Sequence, residues 1–175
     1  MLFLFLISAF GGVSILYVLI RPIVNGAIYF TTKADACDAM IRLSSAKQGE
    51  KIADLGSGDG RVVIAFAKLG CETHGYEINP FLVWISRRAI LRAELKDKAF
   101  VHWKSFWKID FSSFDVIALY GIPRIMDKLE TKRNTELKPG TRIVSNSYSF
   151  PKWKLEKKEN HVRLYRYGQL KDSLR

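Results

Sequence analysis

The feature that most constrains this chain is a glycine-rich loop that directly follows a short apolar run. The stretch EKIADLGSGDGRVVIAFAKLG begins at Glu50, and its apolar run Lys51–Leu55 leads into Gly56, Gly58 and Gly60. This pattern predicts a buried strand, a tight turn and then a helix. Glycines at alternate positions permit a sharp turn and let a ligand come close to the backbone. The loop therefore predicts a ligand that lies against the main chain.

The rest of the chain alternates between short apolar strands and helical patterns. Strands are predicted at 51–55, 72–77, 99–104, 114–120 and 141–148, and helices at 32–43, 61–69, 80–95 and 123–136. Two further extended runs, 154–159 and 162–167, flank an Asn-containing turn and predict a hairpin. The predicted fold class is α/β: a Rossmann-like, doubly wound, mostly parallel seven-stranded sheet with an antiparallel C-terminal hairpin.

The first twenty residues differ in character from the remainder. Residues 2–20, LFLFLISAFGGVSILYVLI, carry no charge, and about 20 apolar residues cross a bilayer core. A signal peptide is the main rival, but it needs a basic start that is missing here. We predict a transmembrane anchor in residues 1–21, followed by a lead-in helix and cofactor-covering segment in 22–49. Arg21 follows the run at once, which favours a domain on the cytoplasmic, or mitochondrial matrix, side.

The net charge of +11 favours anionic partners such as nucleic acid, acidic lipid or an acidic protein face. A solvated basic surface is the alternative. The basic, aromatic stretch 152–171 could bind nucleic acid, but its alternation is more typical of a solvated sheet edge. The two cysteines and three histidines show no metal-binding spacing, so we predict no metal site.

Acidic residues around the loop discriminate between a dinucleotide and S-adenosylmethionine as the cofactor. Glu77 ends the second predicted strand, where an acid accepts hydrogen bonds from ribose hydroxyls. The loop reads G-x-G-x-G, and Arg61 stands where the dinucleotide fingerprint has its third glycine. Asp54 and Asp59 would repel a pyrophosphate, whereas they suit a cofactor with an ammonium and a sulfonium group. These residues favour S-adenosylmethionine.

With these motifs the chain resembles class I S-adenosylmethionine-dependent methyltransferases. More narrowly, it is similar to the small membrane-anchored lysine methyltransferases of the adenine nucleotide translocase and the ATP synthase c subunit, and to their prokaryotic relatives. The resemblance is carried by DLGSGDGR (54–61), GYEINPFLV (75–83), YGIPRIMDKLETK (120–132), SFPKW (149–153) and YFTT (29–32). It implies an S-adenosylmethionine-binding methyltransferase domain over residues 50–175.

The motifs and the resemblance indicate the cofactor-binding residues, and the geometry that methyl transfer requires indicates a second, catalytic set. The cofactor-binding set is Thr32, Asp54, Gly56, Ser57, Gly58, Asp59, Gly60, Glu77, Ile78, Asn79, Ser105 and Phe106. Ser105 stands where the family usually has an acid that meets the adenine amino group. The catalytic set, which would line the channel for the target amine, is Tyr29, Tyr120, Pro123 and Trp153. Core packing is the alternative role for the aromatic members.

Three functions remain open from the sequence. The first is a membrane-anchored methyltransferase that modifies a lysine of a protein, with a membrane protein as the expected substrate. The second is an RNA or small-molecule methyltransferase, which the positive charge permits. The third is a membrane-tethered module that binds the cofactor without turnover. For the protein methyltransferase, a desolvated channel would lower the pKa of the target lysine, so no single side chain of the enzyme need act as the base.

Overall fold

The computed structural model describes residues 32–121, 123–133 and 137–170. The predicted anchor in residues 1–21 and Tyr29 lie outside the described residues. The helices are α1 (Ala34–Ser44), α2 (Arg61–Lys68), α3 (Pro80–Arg92) and α4 (Pro123–Arg133), with a one-turn 3-10 helix at Phe106–Lys108. The strands are β1 (Lys51–Leu55), β2 (Glu72–Glu77), β3 (Ala99–Trp103), β4 (Val116–Tyr120), β5 (Arg142–Asn146), β6 (Trp153–Glu159) and β7 (Val162–Leu170).

The seven strands form one sheet in the order β3-β2-β1-β4-β5-β7-β6. The first five run parallel to one another, and β7 pairs antiparallel with both β5 and β6. This arrangement confirms the predicted doubly wound sheet with its antiparallel C-terminal hairpin. Strand order reverses between β1 and β4, because β1 pairs with β2 on one side and with β4 on the other.

Apolar side chains fill both faces of the sheet. One face, which includes Ile117 and Leu119, packs against α4 and against Phe111 and Phe114 of the connection before β4. The opposite face is covered by α1, α2 and α3 in two adjoining clusters. Strands buried on both faces read as continuous apolar runs, which is why β1 and β4 were recognisable in the sequence.

Several predicted boundaries shift by a few residues. The helix predicted at 80–95 ends at Arg92, and Glu94 adopts a left-handed conformation with φ of 58°. The strand predicted at 141–148 ends at Asn146, because Ser147 has φ of 79° and leaves the sheet. In both cases a single residue with positive φ ends the element, and neither residue is a glycine that would have marked the position in the sequence.

The part of the chain that the structure describes contains no helix long and apolar enough to cross a membrane. The helix predicted to do so belongs to residues 1–21.

Candidate functional site

The candidate site lies at the carboxyl edge of the parallel strands. β1 and β2 end there, at Leu55 and Glu77, and β4 ends there at Tyr120. In open α/β sheets, ligands bind in the crevice beyond these ends, at the point where strand order reverses. In this sheet that point falls between β1 and β4. The glycine loop, which connects β1 to α2, is therefore at the position where a ligand is expected.

The glycines of the loop serve two different purposes. All three have positive φ: 80° at Gly56, 55° at Gly58 and 83° at Gly60. A Cβ at Gly60 would lie 2.7 Å from Cβ of Ser86, so this glycine allows the loop to pack against α3. A Cβ at Gly56 would meet no atom of the described residues within 4 Å. Gly56 is exposed, so its open side is where a ligand can approach the backbone.

Asp54 places a carboxylate beneath the loop. Its side chain is buried, and among the described residues its Oδ2 atom has no hydrogen-bond partner. Burial, and then the nearby carboxylates of Glu77 and Asp59, raise the pKa of Asp54 to about 8. A buried carboxyl group without a partner is costly. The arrangement fits a ligand that supplies a positive charge or a hydrogen-bond donor to Oδ2.

Ser57 provides a second buried oxygen in the loop. Among the described residues its Oγ atom also lacks a partner. The residue packs so closely on β2 that a Cβ at Gly75 would lie 2.7 Å from both Cβ and Oγ of Ser57. Gly75 is therefore needed where the loop rests on the strand, which gives a physical reason for the glycine of the GYEINP motif.

Glu77 is held firmly by backbone donors. Its Oε2 atom accepts a hydrogen bond from the Gly58 amide at 3.1 Å. Its Oε1 atom accepts from the amides of Ile78 and Asn79, both at 2.8 Å. Asn79 in turn caps α3, since its Oδ1 atom accepts from the Phe81 amide at 3.0 Å. These bonds fix the carboxylate at the end of β2 and tie it to the loop.

Arg61 joins the loop to the segment that precedes α1. Its Nε atom donates to Oδ1 of Asp59 at 3.0 Å. Its Nη1 atom donates to the carbonyl oxygen of Thr32 at 2.9 Å. Thr32 is buried. The structure thus brings Thr32 and Asp59 together beside the loop, although 26 positions separate Thr32 from Gly58 in the sequence.

Ser105 and Phe106 follow β3 at the same edge. Ser105 caps the 3-10 helix, with its Oγ atom accepting from the Trp107 amide at 3.4 Å. The ring of Phe106 lies 4.8 Å from that of Trp107, centroid to centroid, and packs against the core. Both residues are half-buried. The polar group at this position is therefore a hydroxyl already engaged in a weak cap, in place of a carboxylate.

The predicted channel residues occupy different environments. Tyr120 ends β4 and is half-buried, and Pro123 begins α4 and is exposed. Trp153 is 3% exposed and stacks on Phe150 with ring centroids 4.7 Å apart. It thus fills the core, the alternative role that the sequence left open.

Asn146 is a polar residue at this edge that the sequence analysis did not select. It ends β5 directly beside Tyr120 of β4. Its side chain is buried, and its backbone carbonyl oxygen accepts a hydrogen bond from the Gly121 amide at 3.1 Å. The next residue, Ser147, has a left-handed backbone, and such strain often occurs at functional sites. A polar residue at the end of a buried strand was the signal available in the sequence.

The residues of this edge fit S-adenosylmethionine. The Oδ2 atom of Asp54, which lacks a partner among the described residues, can accept a hydrogen bond from the ammonium group of the cofactor. Glu77 lies where ribose hydroxyls are bound in such sheets. The open side of Gly56 admits the ligand to the backbone. The clustered carboxylates favour a cation over a pyrophosphate.

Comparison with known proteins also indicates a methyltransferase. The family described as "ANTKMT methyltransferase domain" matches residues 54–157. The mouse lysine N-methyltransferase named for the ATP synthase c subunit is 33% identical over 157 residues, 85% of this chain and 63% of that protein. The mouse adenine nucleotide translocase lysine N-methyltransferase is 33% identical over 126 residues, 71% of this chain and 55% of that protein. The chain thus spans less than two thirds of either relative's length.

Among solved structures, an RNA methyltransferase from Salinibacter ruber in complex with S-adenosyl-L-homocysteine has a TM-score of 0.74 and 29% identity. The match covers 81% of this chain and 93% of that one. The family match covers more than half of the chain, begins at Asp54 near the end of β1, and includes the glycine loop, strand β2 and Glu77. The chain belongs to the ANTKMT methyltransferase domain family.

Proposed function

We propose that this protein transfers a methyl group from S-adenosylmethionine to a lysine side chain of a protein substrate. The observation that carries the proposal is the buried Oδ2 atom of Asp54, which lacks a partner among the described residues and lies beside an open glycine loop. A cationic amino-acid moiety satisfies that oxygen. The relatives named as lysine N-methyltransferases support the choice of lysine as the acceptor.

S-adenosylmethionine, the cofactor of this family, supplies a methyl group on a sulfonium that a neutral amine can attack. The chain's own residues bind and orient. Glu77, fixed by three backbone amides, would hold the ribose hydroxyls. Asp54 would hold the ammonium group, and the half-buried Ile78 and Phe106 would flank the adenine. Such positioning accounts for much of the rate gain in two-reactant steps.

The acceptor side of the site would be formed by the ends of β4 and β5. Tyr120 and Asn146 stand next to each other there, one half-buried and one buried. A lysine enters such a site protonated and must lose its proton before it attacks. Partial burial lowers the pKa of an ammonium group, and the Asn146 side chain offers a neutral acceptor that orients the amine without stabilising its charge.

We further propose that the apolar residues 2–20 anchor the protein in a membrane and that its substrate is a membrane protein. Support comes from the absence of charge over 19 residues. An anchor confines enzyme and substrate to one surface and raises their effective concentration. The names of the relatives, which refer to a subunit of ATP synthase and to a translocase, agree with such a substrate.

RNA methylation is the second candidate. It is favoured by the net charge of +11 and by the structural similarity to an RNA methyltransferase. It requires an acceptor atom on a base or ribose in place of a lysine amine. The same assay separates the two candidates, because the labelled product is a protein in one case and a nucleic acid in the other.

The test is transfer of a radiolabelled methyl group from S-adenosylmethionine to membranes prepared from cells that lack the enzyme. We expect label in a protein band, and acid hydrolysis of that band should release methyllysine. Glu77→Gln should abolish the signal, because the amide cannot accept from the backbone donors at both of its ends. Glu72→Gln, on an exposed ion pair at the other end of β2, is the matched control and should retain the signal.

Label found only in RNA would refute the lysine proposal, and cofactor binding without any labelled product would favour a non-catalytic module. The anchor is tested separately in the full chain with Val13→Arg and Leu16→Arg. Each arginine costs about 3 kcal/mol in the middle of a bilayer, so the double variant should be extracted from membranes by alkaline carbonate. Retention of that variant in the membrane pellet would argue against the anchor.

A further inference from the structure

Helix α3 carries an apolar face that the rest of the described fold leaves uncovered. Phe81, Trp84 and Leu91 are 60%, 51% and 62% exposed. Trp84 and Leu91 follow Phe81 by three and ten positions. This spacing places the three residues on one side of the helix, over a length of about 15 Å. The opposite side of α3 already supplies the core, through residues such as Val83 and Ile90. The helix is therefore apolar on two faces, and only one of them packs against the described core.

The exposed face continues onto the neighbouring strand. Trp103, at the end of β3, is 65% exposed. Its indole Nε1 atom donates to the carbonyl oxygen of Ile78 at 3.0 Å. This bond holds the ring against the turn that leads into α3. We call Phe81, Trp84, Leu91 and Trp103 the aromatic patch.

Positive charge accompanies the aromatic patch. Helix α3 contains three arginines, at 87, 88 and 92, and no acidic residue. The guanidinium carbon of Arg88 lies 4.5 Å from the centroid of the Trp84 ring. Lys104 and Lys108 follow Trp103 and are exposed. A partner for this surface must accept apolar rings and carry negative charge.

Ring geometry favours a lipid surface over single-stranded RNA. Bases stack on free aromatic faces, but Trp84 already stacks with Phe81 at 6.0 Å between centroids and an angle of 20°, and it is also covered by Arg88. Leu91 offers no π-system. Tryptophan and phenylalanine beside arginine, on a helix lying flat, are instead typical of the membrane–water interface.

We propose that the aromatic patch docks the folded domain on an anionic bilayer, with the rings at headgroup level and Arg88 and Arg92 against lipid phosphates. The proposal does not rest on the proposed function. It adds a contact made by the folded domain to any anchoring by residues 2–20. Ile78 and Asn79 precede α3 directly, so this contact would bring the cofactor edge of the sheet close to the lipid surface.

The test uses the tryptophans of the full chain as depth probes. The four tryptophans are Trp84, Trp103, Trp107 and Trp153, so residues 1–31 contribute no tryptophan signal. The protein is reconstituted into phosphatidylcholine vesicles that contain phosphatidylglycerol, with bromine on the acyl chains. We expect bromine to quench the emission, and Trp84→Phe and Trp103→Phe each to remove about half of the quenchable part. Trp107→Phe is the control and should change the quenchable part little.

Charge is tested by Arg88→Glu, which should reduce quenching in vesicles that contain phosphatidylglycerol. Lys158→Glu makes the same charge change on β6, at the opposite edge of the sheet, and should leave quenching unchanged. Circular dichroism verifies that each variant is folded. The proposal is overturned if quenching survives both tryptophan substitutions, if no quenching occurs, or if the two emissions respond to single-stranded RNA and not to vesicles.

Discussion

We expect the affinity for S-adenosylmethionine to rise steeply between pH 6 and pH 7, because the buried carboxyl group of Asp54 must be ionised to hold the cationic ligand. In the free protein, burial and the charges of Glu77 and Asp59 raise the pKa of Asp54 to about 8. Most Asp54 side chains are therefore protonated below pH 7. Binding of an ammonium group lowers that pKa, so a proton is released when the ligand binds.

The size of the effect follows from linkage between proton and ligand. The apparent dissociation constant is multiplied by 1 + 10^(pKa − pH) relative to its value at high pH, provided that the pKa falls well below 6 in the complex. With a pKa of about 8 the factor is roughly 100 at pH 6 and roughly 11 at pH 7. Affinity should therefore increase about ninefold between these two values, which is about 1.3 kcal/mol.

Isothermal titration calorimetry measures both quantities. Titrations at pH 6 and pH 7, in buffers of different ionisation enthalpy, give the affinity and the number of protons released. The ligand's own amino group has an ordinary pKa of about 7.7–8.0 and stays largely protonated in this range. Asp54→Asn removes the titrating carboxyl group and keeps the shape of the side chain, so it is the matched control.

We expect the Asp54→Asn variant to bind more weakly at pH 7 and to show no increase from pH 6 to pH 7. The reasoning would be refuted by a wild-type affinity that is constant over this range without proton release. It would equally be refuted by a pH dependence that Asp54→Asn retains, because the titrating group would then lie elsewhere.

Three further predictions concern the same loop. First, folding raises the pKa of Asp54 above its ordinary value. The free energy of unfolding without cofactor is therefore highest at a pH below that ordinary pKa, and it falls as pH rises towards 8. Asp54→Asn should raise the melting temperature of the free protein at pH 8 and raise it less at pH 5. Second, Gly60→Ala places a Cβ 2.7 Å from Ser86 at a residue with φ of 83°, and it should lower the free energy of unfolding in urea by about 2–4 kcal/mol. The control Gly140→Ala has a similar φ of 87° but no described atom near its Cβ, and it should lower that free energy by about 1 kcal/mol. Third, Gly56→Ala should weaken S-adenosylhomocysteine binding at least tenfold in calorimetry with a stability loss of only about 1 kcal/mol; equal binding would show that the ligand does not approach this side of the loop.

Local signals in the sequence were enough to predict the sheet and the cofactor edge. Asp54 is the penultimate residue of β1 and Glu77 is the last residue of β2, and these two strands are parallel neighbours with Asp54 opposite Gly75. Their carboxyl ends therefore meet at one edge, as the alternating pattern implied. The hairpin of β6 and β7 was likewise predictable, because extended runs flanked a short turn with Asn160 at positive φ.

Features that depend on contacts between distant segments were not accessible from the sequence. The position of Asn146 beside Tyr120 follows from the pairing of β5 with β4. The bond from Arg61 to the Thr32 carbonyl links segments that have no shared sequence pattern. The second apolar face of α3 was masked because Val83 and Trp84 both read simply as apolar positions in a helix. Each of these required the packing of elements to be known.

The hydrogen bonds that Arg61 makes to two segments couple the local unfolding of those segments. Since one guanidinium group binds both Asp59 in the loop and the Thr32 carbonyl ahead of α1, opening of either segment breaks the contact that joins the two. Amide hydrogen exchange should therefore report the loop and the first turn of α1 as one cooperative unit with a shared opening free energy. Arg61→Lys keeps the charge but loses the fork that spans both acceptors, and it should split this unit into two that exchange independently.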